Sequence, residues 1–285
     1  MKPTLYKLDP NGTFTVLHTF GTGKDGTAVW SGVLLDSEGN LFGTTSAGGD
    51  FNEGTAYKMD AAGNYSVLTS FHGGYGTSPS SELIRDSAGN LYGTAAYGGN
   101  PSCVSLYNRG CGVIFKLDPL GKETVLYTFK GAPDGEYPNG LIGDAEGSLY
   151  GTTQSGGTSD ACPQLNGCGT VFRLDASGVE TVLYSFSGGA DGATPYSKLL
   201  RDKAGTLYGT TLNGGTAGYG TVFKVDVAGG ETVLHSFLGG TDGESPYSPL
   251  IPDAAGNLYG TTDFGGDLSC LGGWSCGEVY RLTPQ

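Results

Sequence analysis

Short apolar runs alternate with glycine-bearing turns along the whole chain, and no stretch holds its apolar residues at the 3.6-residue spacing of a helix. Runs such as Leu91-Tyr92-Gly93-Thr94, Val113-Ile114-Phe115-Lys116-Leu117 and Thr124-Val125-Leu126-Tyr127 are rich in β-branched and aromatic residues. Gly, Asn, Asp or Pro bounds each of them. This pattern predicts strands joined into hairpins. One hairpin runs from Ser81–Asp86 through the turn Ser87-Ala88-Gly89-Asn90 into Leu91–Thr94; the next runs from Val113–Asp118 through Pro119-Leu120-Gly121 into Glu123–Phe129. We denote the four strands a, b, c and d.

The four-strand unit repeats. Leu41-Phe42-Gly43-Thr44-Thr45 returns as Leu91-Tyr92-Gly93-Thr94-Ala95, Leu149-Tyr150-Gly151-Thr152-Thr153, Leu207-Tyr208-Gly209-Thr210-Thr211 and Leu258-Tyr259-Gly260-Thr261-Thr262. Periods of this length mark arrays or propellers. Four antiparallel strands repeated about an axis describe a propeller blade, whereas a β-solenoid has shorter coils without paired hairpins. The sequence thus predicts an all-β fold: a single five-bladed β-propeller domain over 1–285, with repeats at 29–71, 79–129, 138–186, 195–237 and 246–285 plus 1–20. Strand c occurs at both ends, as Leu5-Tyr6-Lys7-Leu8 and as Val279-Tyr280-Arg281-Leu282, and the last repeat lacks strand d. The N-terminal strands are therefore expected to complete the C-terminal blade and bury open edges; a longer array is the alternative. The strand-b glycine is expected to let neighbouring blades approach closely.

Composition narrows the function classes. The net charge of −13 and the absence of a basic patch exclude nucleic acid as a natural partner. No apolar run reaches membrane-spanning length, so no membrane insertion is expected. Six cysteines form three close pairs, Cys103 and Cys111, Cys162 and Cys168, Cys270 and Cys276, each inside the loop between strands b and c. Repeats one and four have neither member. Joint presence and joint absence predict disulfides; metal binding fits poorly, because those loops hold no histidine. Disulfides imply an oxidising compartment, so the chain reads as a secreted or cell-surface monomer in its mature form, with no leader visible before Lys2.

The run Asp-x-x-Gly-Asn-Leu-Tyr-Gly-Thr-Thr, then Gly-Gly, a cysteine loop, Gly-Thr-Val-Phe-Lys-Leu-Asp and Thr-Val-Leu-Tyr-Ser-Phe resembles the bacterial GloVer-type tandem repeat over nearly the whole chain. The blade pattern is similar to the NHL propeller repeat. The resemblance implies an exported repeat protein and supplies no catalytic residue.

Function is therefore sought where the copies differ. The b–c and d–a loops are long and variable, and variable loops on a rigid scaffold are where sites are built. Beside the d–a prolines stand Trp30, Ser80, Tyr137, Asn139, Tyr196 and Tyr247; just after strand b stand Ser46, Tyr97, Ser155, Asn213 and Phe264. Aromatic rings among Asn and Ser side chains suit sugars, stacking on apolar faces while polar groups bond hydroxyls. The expected ligand-binding set is Trp30, Tyr97, Tyr137, Asn139, Tyr196, Asn213, Tyr247 and Phe264, with gap-filling between repeats as the alternative role. The carboxylates that break the repeat, Glu82, Glu136 and Asp263, are the catalytic candidates for a glycoside hydrolase or polysaccharide lyase. A third reading is a structural surface repeat. Asp36, Asp86, Asp144, Asp202 and Asp253 recur in every copy and read as turn-stabilising residues. The Asp-Gly loops read likewise, with calcium as a minor alternative and no other cofactor. His18 and His235 are expected to be structural, and the sequence holds neither a nucleophile elbow nor a histidine metal cluster.

Overall fold

A computed structural model describes residues 2–21, 23–103, 109–267, 269 and 276–283. The chain divides into two compact units, Met1–Ser102 with Arg109–Thr128, and the remainder.

The first unit holds three antiparallel sheets. β1 (Thr4–Leu8) pairs with β2 (Phe14–Thr19). β3 (Leu34–Leu35), β4 (Leu41–Thr45), β5 (Thr55–Met59) and β6 (Tyr65–Ser70) follow in that order. β7 (Thr77–Pro79) and β8 (Ile84–Arg85) both pair with β9 (Leu91–Tyr97), which continues through β10 (Val113–Leu117) to β11 (Glu123–Thr128).

The second unit repeats the scheme. β12 (Glu136–Pro138) and β13 (Ile142–Gly143) flank β14 (Leu149–Ser155), beside β15 (Thr170–Leu174) and β16 (Glu180–Ser185). β17 (Ala193–Pro195) and β18 (Leu200–Arg201) flank β19 (Leu207–Asn213), beside β20 (Thr221–Val225) and β21 (Glu231–Ser236). β22 (Glu244–Pro246) and β23 (Ile251–Pro252) flank β24 (Leu258–Phe264), which pairs with β25 (Val279–Leu282).

The all-β reading and the hairpin order thus hold. Of the two terminal c strands it is β25 that pairs with β24, and β1 with β2 forms a two-stranded sheet. Strand a also differs: it is two short pieces on either side of a stretch that leaves the ladder. The cause is chemical. Ser81 Oγ accepts the Thr94 amide at 3.3 Å, and Ser248 Oγ accepts the Thr261 amide at 2.8 Å, so a side chain replaces the missing ladder carbonyl.

Five equivalent residues, Ala28, Ser78, Tyr137, Thr194 and Ser245, are left-handed, with φ between 52° and 57°. Such a conformation costs a non-glycine residue roughly 1–2 kcal/mol. It turns the amide toward the preceding repeat: Ser78 N donates to Glu53 O at 2.8 Å, Thr194 N to Cys168 O at 2.9 Å and Ser245 N to Tyr219 O at 3.0 Å. The recurrent threonine of strand b makes a second link, since Thr44 Oγ1 donates to Ser81 O at 3.2 Å and Thr210 Oγ1 to Pro246 O at 3.0 Å.

Apolar packing also runs from repeat to repeat. The phenylalanine that closes strand d meets the strand-c aromatic of the next copy: Phe20 with Tyr57, Phe71 with Phe115, Phe186 with Phe223, and Phe237 with Tyr280, at centroid separations of 4.8–5.3 Å. Each such pair adds about 0.5–1.5 kcal/mol beyond the area it buries.

The strand-b glycine has a different role from the one expected of it. A Cβ on Gly151 would lie 2.7 Å from Phe172 Cζ, and one on Gly209 would lie 2.6 Å from Phe223 Cζ and 2.8 Å from Leu199 Cδ2. Phe172 and Phe223 are the cross-strand partners of these glycines. The missing side chain thus makes room for the ring of its own sheet, not for a neighbouring repeat.

The recurrent aspartates act as expected. Asp144 Oδ1 accepts the Ser148 amide at 2.8 Å and the Glu146 amide at 3.1 Å, and its Oδ2 accepts the Tyr150 hydroxyl at 2.9 Å. A second set serves the c–d turns, for example Asp60 with Ala62 and Asn64. The d–a aspartates are bonded as well: Asp191 Oδ2 accepts the Tyr184 hydroxyl at 2.9 Å, and Asp25 and Asp242 meet His18 and His235 at 3.1 and 3.2 Å. Both histidines are thereby structural.

These carboxylates set an acid limit. Side-chain bonds from Asn64 and Asn257 hold Asp60 and Asp253 below the ordinary 3.8. A depressed folded pKa contributes stability that is present above the unfolded value and lost as pH falls. Three glutamates oppose them. Burial pushes Glu123 up to about 8 and Glu136 up to about 7; burial and then Asp191 push Glu231 up to about 7. Each leaves one buried carboxyl oxygen without a hydrogen bond. A raised folded pKa contributes stability below the unfolded value, lost as pH climbs through the folded one. Melting temperature followed against pH is therefore expected to peak at about pH 4–5 and to decline on both sides. A melting temperature that climbs steadily from pH 5 to 8 would contradict this.

Candidate ligand-binding site

The b–c loops bond to the d–a loops. Gly49 N donates to Gly23 O at 2.7 Å and Gly99 N to Gly73 O at 3.1 Å in the first unit; in the second, Gly215 N donates to Gly189 O at 2.9 Å and Gly266 N to Gly240 O at 2.9 Å. The two long loop classes thus meet within each unit, and most of the candidate residues lie where these loops join the strands.

In the first unit, Trp30 is 79% exposed, two residues beyond left-handed Ala28. Glu82 is half-buried, its carboxyl carbon 3.7 Å from where a Cβ on Gly32 would sit. Tyr97 ends β9 with the Arg109 guanidinium 5.4 Å from its ring centroid.

The second unit gathers its candidates into a row. Asn139 Nδ2 donates to Thr152 Oγ1 at 3.1 Å and to the Pro195 carbonyl at 2.9 Å, while its Oδ1 accepts from Gln154 Nε2 at 3.0 Å. Tyr196 follows Pro195, and its ring lies 4.1 Å from that of Tyr247, inclined at 40°. Tyr247 is 41% exposed. Burial, the Tyr196 hydroxyl and the charge of Asp263 raise its phenol above the ordinary range. Asp263 is exposed. The row therefore presents an amide pair, two rings and an exposed aspartate in succession.

Other candidates stand apart from this row. Glu136 and Tyr137 are buried. Glu136 lies opposite Ser155 in the ladder, its Oε1 accepting from Asn166 Nδ2 and its Oε2 buried without a partner. Asn213 donates to Thr194 Oγ1 at 3.3 Å. Phe264 sits opposite Glu244, partly exposed. Gln154 escaped the sequence reading. Its register position holds Ser46, Ala96, Leu212 and Asp263 in the other copies, so the strand-b phrase alone could have exposed it. The same register makes Ala47, bridged to Thr27, the counterpart of Tyr97 in place of Ser46.

Cys162 and Cys168 form a disulfide. Cys103, Cys111 and Cys276 are disulfide-bonded too, and Cys270 lies outside the described residues. Among the described residues no three His, Cys, Asp or Glu side chains gather as a metal site. No helix among them is long and apolar enough to cross a membrane.

Repeated antiparallel strand quartets, interlocked by recurrent Thr, Phe and left-handed residues, define a propeller-like repeat protein. The chain belongs to the Gloeobacter/Verrucomicrobia repeat family, whose model matches residues 1–163 and 161–285. No curated protein sequence matches it. Solved structures similar in fold include a streptogramin B lyase, at 13% identity and a TM-score of 0.59 over 99% of this chain and 76% of that one. Another is a gluconolactonase from Xanthomonas campestris, at 17% identity and a TM-score of 0.51 over 99% and 79%. Both are β-propeller proteins, and at these identities the likeness concerns fold alone.

Proposed function

We propose that this is an exported repeat protein that binds carbohydrate along the row Gln154, Asn139, Tyr196, Tyr247 and Asp263. The observation that carries the reading is the Tyr196–Tyr247 ring pair, half-buried on the Tyr196 side and 41% exposed at Tyr247, beside the exposed carboxylate of Asp263. Two inclined rings offer apolar faces to a pyranose, and Asp263 and Gln154 offer hydrogen bonds to its hydroxyls. The disulfides support export, because such bonds persist in oxidising compartments. The five-blade closed ring expected from the sequence belongs to the same proposal and rests on the count of strand-b phrases. A hydrolase or lyase reading needs a second accessible carboxylate near Asp263, and Glu136 is sealed from solvent.

A glycan array probed with the whole protein, followed by product analysis of each hit, tests the reading. Retention of particular oligosaccharides without turnover is the expected result. Turnover would favour the enzyme, and no retention at all would favour a structural repeat.

A further inference from the structure

Four of the five d–a loops carry an aspartate before their closing glycine: Asp25, Asp134, Asp191 and Asp242. In three of them its carboxylate accepts the amide that follows the strand-d phenylalanine. Lys130 N donates to Asp134 Oδ2 at 2.9 Å, Ser187 N to Asp191 Oδ2 at 2.6 Å and Leu238 N to Asp242 Oδ2 at 2.8 Å. The loop at 72–76 is one residue shorter, and Tyr75 stands in the place of the aspartate. A carboxylate comes instead from the preceding b–c loop, where Glu53 Oε2 accepts the Gly73 amide at 2.8 Å. That b–c loop, 46–54, matches 212–220 in length, and Phe51 stands where the other has Ala217. Both departures from the repeat put a ring beside His72. The Phe51 and His72 centroids are 4.9 Å apart, and those of His72 and Tyr75 are 4.8 Å apart. All three residues are exposed, Phe51 by 58% and Tyr75 by 45%, so none of the rings fills the core. His18 and His235 bond to Asp25 and Asp242, whereas no described residue hydrogen-bonds the His72 imidazole.

We propose that Phe51, His72 and Tyr75 form a second carbohydrate subsite, built wholly within the first unit. The proposal rests on the reading of this protein as a carbohydrate binder, and it adds a site that shares no residue with the row. Exposed rings in mutual contact mark an interaction surface, whereas a single exposed ring does not. Inclined to one another at 52° and 61°, the three rings offer apolar faces to a sugar. The His72 imidazole can donate to one hydroxyl and accept from another. The carboxylates beside the rings are already engaged: Asp50 faces Lys24 Nζ at 3.7 Å, and Glu53 holds the Gly73 amide. A neutral pyranose therefore suits the subsite better than an anion or a cation.

An array of gluco-, xylo-, manno- and chito-oligosaccharides tests the subsite when probed with the parent protein, Tyr247→Ala, and Tyr247→Ala combined with Tyr75→Ala. Tyr247→Ala should still retain oligosaccharides, more weakly than the parent, and adding Tyr75→Ala should lower that retention roughly tenfold. Phe51→Ala in place of Tyr75→Ala should act alike. An oligosaccharide retained by Tyr247→Ala, added to that variant in solution, should shift the imidazole proton resonance that His72→Gln removes. The altered side chains are exposed, so the fold is retained, as circular dichroism would verify. Loss of all retention in Tyr247→Ala would overturn the second subsite and leave the row standing. So would equal retention by Tyr247→Ala and the double variant, or a His72 resonance that stays in place. Binding that needs Tyr75 and is indifferent to Tyr247 would support the subsite and overturn the row. A parent protein that retains none of these oligosaccharides would overturn both.

Discussion

Gly209→Ala is expected to lower the melting temperature by about 5–10 °C. The added Cβ would lie 2.6 Å from Phe223 Cζ and 2.8 Å from Leu199 Cδ2, and both residues are buried with no room to retreat. Forcing a methyl into a packed core costs roughly 1–3 kcal/mol, and a domain of this size loses about 2–4 °C for each kcal/mol. The cause can be isolated with a double-mutant cycle. Phe223→Leu removes the ring that the methyl strikes, so adding Gly209→Ala to that variant should cost far less than adding it to the parent. Equal losses in both backgrounds would show that backbone freedom, rather than the ring, fixes glycine there.

Removal of the Cys162–Cys168 bridge, by Cys162→Ser with Cys168→Ser, ranks second. The bond closes a loop of sequence separation 6, for which chain entropy gives about 2–3 kcal/mol. Its native role is also local. Cβ positions at Gly188 would fall within 2.8 Å of both sulfurs, so the bridge lies directly on the d–a loop. The loop it closes carries Asn166, which holds Glu136 Oε1, and Cys168 O, which accepts the Thr194 amide. Calorimetry should show a fall of roughly 5–10 °C for the variant. Glu136→Gln in the same background should recover part of it, because a neutral amide tolerates burial better than a carboxyl whose partner has loosened. A fall below about 2 °C would mean that the loop holds its shape without the bond.

The fold was legible because the strand-b phrase came five times over and the other signals recurred in phase with it. Spacing between Phe42, Tyr92, Tyr150, Tyr208 and Tyr259 set the phase, and strand period, turn residues and cysteine pairing agreed with it. Two backbone features were hidden. The shared left-handed conformation of Ala28, Ser78, Tyr137, Thr194 and Ser245 was hidden because none is glycine or asparagine and four of them precede proline, which favours extended backbone. The break in strand a was hidden as well, because Ser81 and Ser248 substitute for a carbonyl with a hydroxyl, and a serine in a strand gives no such sign. In the candidate site, Tyr196 and Tyr247 followed from their place after the proline. Glu136 read as a catalytic candidate but is buried. Its register counterparts are Thr77, Ala193 and Glu244, buried in the first two and only partly in the third, so residue type alone did not reveal its burial. Cross-repeat bonds such as Asn139 to Pro195 join residues far apart in sequence and become visible only in three dimensions.

The phrase Leu-Tyr-Gly-Thr-Thr is therefore scaffold, and the proposed binding falls to residues at positions that vary between copies. Titration of the parent protein with an oligosaccharide retained on the array, followed by tyrosine fluorescence and calorimetry, tests that most directly when repeated on Tyr247→Ala and Tyr259→Phe. Loss of a stacking ring is worth about 1.5–3 kcal/mol, so Tyr247→Ala should weaken binding roughly 10- to 100-fold. Tyr259→Phe, which alters a repeated scaffold position, should leave affinity unchanged. Equal affinity for Tyr247→Ala and the parent would contradict the account.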